Sequence, residues 1–136
     1  MVDLSREQAQ VFLERVFENM LDPALDAGML NEFFCDDYVQ VANGERLDYA
    51  GFINHAQAVK HSLASGKVNF ERIVVDGDTI ADVHVLNATK RDGTVLRVKV
   101  IAFYRLKDGK IIEVDELTHL MEGAESDRDI GFRQTR

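Results

Sequence analysis

Cysteine occurs once in 136 residues, as Cys35, and proline once, as Pro23. A lone cysteine excludes an intramolecular disulfide and a cysteine-based zinc site. It makes a reducing cytoplasm the expected setting. Basic residues are also few: 16 Lys and Arg stand against 24 Asp and Glu, a net charge of −8. Affinity for a phosphate backbone rests on basic patches, so no nucleic-acid partner is expected. No apolar run reaches the ~20 residues that a membrane span requires. The opening MVDLSREQAQ also lacks an apolar signal core, so no membrane association is expected. Internal repeats and Pro/Gly/Ser linkers are missing, which predicts one domain. GxSxG, P-loop and GxGxxG patterns are missing too, and with them support for serine-hydrolase, nucleotide or dinucleotide readings. The four histidines are scattered without ligand spacing, so neither a metal nor a cofactor is expected.

What is present is a chain rich enough in apolar residues, at 46%, to fold around a core. Residues 5–21 predict a helix opened by a Ser5/Gln8 capping box, with Ala9, Phe12, Leu13, Val16 and Met20 as its apolar stripe. Asp22-Pro23 ends it and begins a second predicted helix reaching about Phe34. YVQVAN (38–43) reads as a short strand and NGERLD as a loop. Asp48 caps a third helix carrying Tyr49, Phe52, Ile53, Ala56, Val59 and Leu63, which Gly66 ends. The period then changes to two, with strands near 68–75, 79–90, 94–107 and 110–121 joined at Asp-Gly dipeptides. Such dipeptides supply the positive φ of tight hairpins. Three helices followed by a meander predict an α+β fold with the helices on one sheet face.

The strand at 94–107 sets the phase. Leu96, Val98, Val100, Ala102, Tyr104 and Leu106 form an apolar face, which is the predicted core face. Arg97, Lys99, Arg105 and Lys107 lie opposite, with Ile101 and Phe103 among them, marking surface or an oligomer contact. On the last strand Ile112, Val114, Glu116, Thr118 and Leu120 form the expected inward set, and Glu116 is its one charge. A three-residue Lys107-Asp108-Gly109 loop with a G1 bulge would aim Glu116 inward, whereas a two-residue Asp108-Gly109 turn would aim it outward. An inward carboxylate must be paired, hydrated or protonated. Any of these suits acid/base work, while a hydrogen-bonded rim glutamate is the structural alternative. On the strand at 79–90, Asp82 and His84 share one face and raise the same question of acid/base use; the opposite face, Ala81, Val83 and Val85, is the better core candidate, and on that phase Asp82 and His84 are exposed. His55 flanks the third helix's stripe, facing a cavity or a boundary; His61 and His119 face solvent.

Three stretches, FFCDDYVQVANGERLDYAGFINHAQAVKH, VVDGDTIADV and YRLKDGKIIEVDEL, resemble the nuclear transport factor two-like superfamily, in its SnoaL-like and ketosteroid-isomerase-like branch. The resemblance implies a cystatin-like cone over residues 1–121, in which three N-terminal helices pack in the concave face of a curved, mainly antiparallel sheet. A polar C-terminal extension over residues 122–136 would follow. It also implies a homodimer through the sheet face bearing Ile101 and Phe103, and a pocket for a small apolar molecule. SnoaL-like cyclases and limonene-epoxide-hydrolase-like proteins carry an acidic residue in the last strand, where GKIIEVDE places Glu116. Glu116 is thus the expected acid or base, Tyr104 and Thr118 its polar aids, and Val100, Val114 and Phe52 the apolar walls. Ketosteroid isomerases carry a base and an oxyanion-hole tyrosine where this chain has Ala42 and Val16, which argues against steroid isomerisation. Two functions remain: cofactor-free isomerisation, cyclisation, dehydration or epoxide opening, or a non-catalytic ligand carrier or dimeric adaptor.

Overall fold

The computed structural model describes residues 4–134. Helix α1 (Arg6–Leu21) begins with the capping box: Gln8 N–H donates to Ser5 Oγ and Ser5 N–H to Gln8 Oε1. It buries Ala9, Leu13 and Val16 and ends at Asp22, whose extended backbone suits a residue that precedes proline.

The expected second α-helix does not form. Residues Ala27–Glu32 make one 3₁₀ helix, and strand β1 (Phe34–Ala42) starts four residues before the expected strand. Pairing with the last strand explains the difference. Phe34 lies opposite Ile111, and Ile111 N–H donates to the Phe33 carbonyl at 2.8 Å. Residues of helical spacing have been taken by a sheet that offers them long-range partners. The predicted loop after β1 is a hairpin, since Asn43 and Gly44 both have positive φ (52° and 85°) and lead into β2 (Glu45–Asp48). Asp48 then caps helix α2 (Tyr49–Ser62) by accepting from Gly51 N–H. The helix stops before Gly66, because β3 (Leu63–Asp76) has already begun. Strands β4 (Thr79–Lys90), β5 (Val95–Lys107) and β6 (Lys110–Glu122) complete the meander.

The result is an α+β fold with a six-stranded mixed sheet in the order β2-β1-β6-β5-β4-β3. Pairing of β1 with β6 is parallel and every other pairing is antiparallel. The expected cone is corrected by this order. Edge strands β2 and β3 do not pair, so the sheet stays open rather than closing or curling tightly around the helices. The helices and the inner sheet face share one core, in which Leu13, Leu30, Phe52, Ile80, Leu96 and Ile111 are fully buried. Each such side chain contributes about 1.5–3 kcal/mol through removal from water. No helix among the described residues is long and apolar enough to cross a membrane.

Two hairpins decide which side chains face that core. At Asp92-Gly93 the loop holds three residues: Lys90 N–H donates to the Thr94 carbonyl, and Gly93 takes φ 90°. At Asp108-Gly109 the turn holds two residues, with φ of 53° and 80°, and pairs Lys107 with Lys110. That turn alone would send Glu116 outward. A β-bulge reverses the phase: Leu106 opposes Ile111, Arg105 opposes Glu113, and Ile112 is the extra residue. Ile111 therefore belongs to the core, contrary to expectation, and Val114 follows it inward.

Candidate functional site

The register places polar side chains in rows on the inner face. One row runs Asp82 (β4), Ala102 (β5), Glu116 (β6), Ala42 (β1). The next runs His84, Val100, Thr118, and on the other side lie Ile80, Tyr104, Val114 and Gln40. Strands are about 4.8 Å apart, so two carboxylates stand two strands from each other with only an alanine methyl between them.

Asp82 and His84 are 3% and 2% exposed, which overturns the expectation that they face outward. Their cross-strand partners Ala102 and Val100 are core residues, and partners directly opposite share a face. His84 Nδ1 lies 2.7 Å from Asp82 Oδ2. With the proton on Nδ1, the carboxylate accepts it and fixes the ring, leaving Nε2 of the neutral imidazole as an acceptor. The Phe17 ring packs against the His84 ring, tilted by 54° with centroids 4.8 Å apart, and limits its orientation further.

Glu116 is half-buried and borders an interior cavity of about 80 Å³. Loss of hydration, followed by the negative charges of Asp82 and Asp115, pushes its carboxyl up to about 8. It is therefore a carboxylic acid able to donate a proton at neutral pH. Burial, helped by Asp82 and Glu116, pushes the Tyr104 phenol well above its ordinary value. The Tyr104 hydroxyl and Asp82 Oδ1 are buried with no hydrogen-bond partner among the described residues, although the Asp82 charge acts on that phenol. Tyr38 is held protonated by burial and by the Glu116 charge, and its hydroxyl donates to Gln40 Oε1 at 3.0 Å.

Of the six expected site residues, Glu116, Thr118 and Val100 line the cavity with His84 and His55. Tyr104, Val114 and Phe52 are buried beyond its wall; Phe52 packs against the rings of Phe34 and Tyr38. Thr118 does not aim a free hydroxyl inward. Asn43 Nδ2 donates to its Oγ1 at 2.6 Å, and Asn43 Oδ1 accepts from its N–H at 2.8 Å. Asn43 N–H also donates to the Glu116 carbonyl. The turn residue thus fixes the backbone on which Glu116 is mounted. His55 is buried, and burial lowers its pKa below the usual histidine value. Its Nδ1 lies 2.9 Å from the Arg133 carbonyl. His61 and His119 are exposed.

Sequence reasoning singled out Asp82 and His84 as a pair but favoured the outward face for them, although a signal for the inward one existed. The core face of β5 was certain, so counting back through a three-residue loop at Asp92-Gly93 would have turned both residues inward. The contribution of residues 122–134 had no such signal. That segment, read as the start of a polar extension whose last two residues lie outside the described chain, buries Asp127 and Ile130.

Comparison with solved structures gives the same fold class. A candidate isomerase from Rhodopseudomonas palustris superposes with a TM-score of 0.72 at 13% identity, over 84% of this chain and 91% of that one. A SnoaL-like candidate polyketide cyclase from Jannaschia sp. CCS1 gives 0.67 at 17% identity, over 87% and 91%. These likenesses define the nuclear transport factor two-like fold, which hosts diverse activities.

Residues 10–114 match the SnoaL-like domain, and the chain belongs to the SnoaL-like family. An uncharacterized protein of Schizosaccharomyces pombe, C11D3.04c, is 37% identical over 128 residues, covering 94% of this chain and 98% of that protein.

Proposed function

We propose that the chain binds a small, largely apolar molecule bearing an oxygen function in the cavity, and transforms it by proton transfer to and from its own side chains. The observation that carries this reading is the presence of two unlike groups in the lining of one cavity, on the same inner sheet face: the carboxylic acid of Glu116 and the imidazole of His84, oriented by Asp82. Glu116, kept protonated by burial, is the acid of the pair, and the imidazole whose other nitrogen Asp82 engages is the base.

The step balances as follows. His84 Nε2 takes a proton from carbon beside a carbonyl, and the freed electron pair moves onto the carbonyl oxygen. Glu116 gives its carboxyl proton to that oxygen, forming an enol. In the second half Glu116 takes the enol proton back as the carbonyl re-forms, and the His84 imidazolium gives up its proton. Given to another carbon of a conjugated enol, that proton yields an isomer; given to a departing β-hydroxyl, it yields water and a dehydration; given to the oxygen of a second carbonyl that the enol carbon attacks, it yields a cyclisation. The candidate isomerase and cyclase among the structural relatives are compatible with this class of chemistry.

Deuterium uptake from D₂O beside the carbonyl of 2-cyclohexenone tests the reading without knowledge of the natural substrate. Wild-type protein is expected to accelerate uptake, and Glu116→Gln and His84→Ala each to slow it by about 10²-fold or more. Unchanged uptake in both variants would end the acid/base assignment.

A second reading, a dimeric adaptor or carrier, is supported by the outer sheet face. Ile101, Phe103 and Leu117 are 51%, 58% and 65% exposed there, and Ile101 and Leu117 are cross-strand neighbours. Adjacent large apolar side chains in water favour coverage. We assign the covering surface to a second copy of the chain, a pairing compatible with either function.

A further inference from the structure

We propose that residues 124–134 form a strap whose Ile130 and Gly131 set the size of the molecule the cavity admits, and which a charged clasp at Asp127 holds shut. The inference rests on the reading of the interior cavity as the ligand site.

Three observations support it. First, the segment builds a wall. Ile130 and Gly131 line the cavity together with His84 and Glu116, and Ile130 is buried. A Cβ on Gly131 would stand 2.9 Å from Thr118 Cγ2, so the strap backbone approaches β6 as closely as a glycine allows.

Second, the strap is fastened mainly by polar groups. It joins no strand of the sheet, and its one regular element is a 3₁₀ turn, Glu125–Asp129. Buried Asp127 accepts from Lys90 Nζ at 2.9 Å and from Arg133 Nη2 at 3.3 Å, and it also accepts from Ala124 N–H. Arg133 ties the segment to itself through Asp129 at 2.7 Å and to α2 through Ser62 Oγ at 3.1 Å. On the cavity side, His55 meets the Arg133 carbonyl, and Gln40 Nε2 reaches the Gly131 carbonyl at a long 3.4 Å. Water can replace such bonds when the segment lifts, whereas a strap sealed by many apolar side chains would pay for each in lost burial.

Third, the cavity is small. At about 80 Å³ it is about half the ~150 Å³ cavity known to take a benzene ring. Full enclosure of a ring-sized ligand needs more room than this, and the strap is a wall whose polar fastenings let it move to supply that room. A ligand that needs the lifted state binds more weakly by the fraction of time the strap is open, so loosening the clasp tightens binding.

The test uses phenol as probe, read by the NMR shifts of the Val100 and Thr118 methyl groups. Lys90→Ala releases the clasp from the sheet side and Arg133→Ala from the strap side. Each is expected to tighten phenol binding about tenfold relative to wild type. Amide exchange should quicken in residues 124–133 and stay unchanged in β4–β6, which also reports that the variants are folded. Should one variant fail to fold, the other carries the test. Equal phenol affinity in wild type and a folded variant would overturn the strap. If phenol moves neither methyl group in any of the proteins, the cavity reading itself falls, and the strap with it.

Discussion

Asp82 and Glu116 stand in one row of the inner sheet face, on β4 and β6, with Ala102 of β5 between them. Their separation is governed by the smallest side chain of the β5 core face. A larger residue at 102 would fill the space through which one carboxylate influences the other.

The carboxyl of Glu116 should titrate at about 8 in carboxyl-detected NMR, with Glu116→Gln giving the assignment. Burial is the larger cause and the Asp82 charge the next. Asp82→Asn should therefore lower the titration point only in part, leaving it above the ordinary 4.5. A wild-type value near 4.5 would remove the acid from the proposed chemistry.

Stability should respond to the same group. The folded-state pKa of Glu116 is raised above its unfolded value, so the native state holds the proton more tightly. This stability is fully present below about pH 4.5 and is lost as pH rises through about 8. Each unit corresponds to about 1.4 kcal/mol, which sets an upper bound of roughly 5 kcal/mol. Glu116→Gln carries no such dependence. Its advantage over wild type in urea unfolding should be smallest at pH 4 and grow to a plateau above pH 8. A difference independent of pH would contradict the burial of this carboxyl.

Phe103→Asp places a charge in the middle of the exposed apolar face. Light scattering should give a dimer for wild type and a monomer for the variant, with the same far-UV circular dichroism. An unchanged mass would remove this face as the contact between copies.

The inward face of β5 was legible because six alternating apolar residues leave one choice of phase. The helix boundaries at Ser5 and Asp48 were equally legible, since capping is local chemistry. What could not be read was how each hairpin transmits that phase. Asp92-Gly93 and Asp108-Gly109 are the same dipeptide, yet the first sits in a three-residue loop and the second is a two-residue turn. One residue of loop length moves a whole strand to the other face. The error at the first hairpin hid Asp82 and His84. The inward aim of Glu116 was anticipated through a loop that does not exist, and the bulge at Ile112 supplies the missing residue. The open sheet and the shortened second helix have other origins: the first lies in edge strands β2 and β3, which do not pair, and the second in the parallel pairing of β1 with β6, a partnership across most of the chain that no local pattern encodes.

That pairing also dictates an order of assembly. Ala42 joins Glu116 only after the last strand exists, and the β1–β2 hairpin has no inner neighbour until then. During synthesis the first half of the chain emerges with an unpaired strand edge, and contacts so distant in sequence close slowly. The row that brings Asp82, Ala102, Glu116 and Ala42 together is thus among the last features to form. A truncated chain lacking β6 would lose the neighbour shared by β1 and β5 and, with Glu116, the candidate acid in one step.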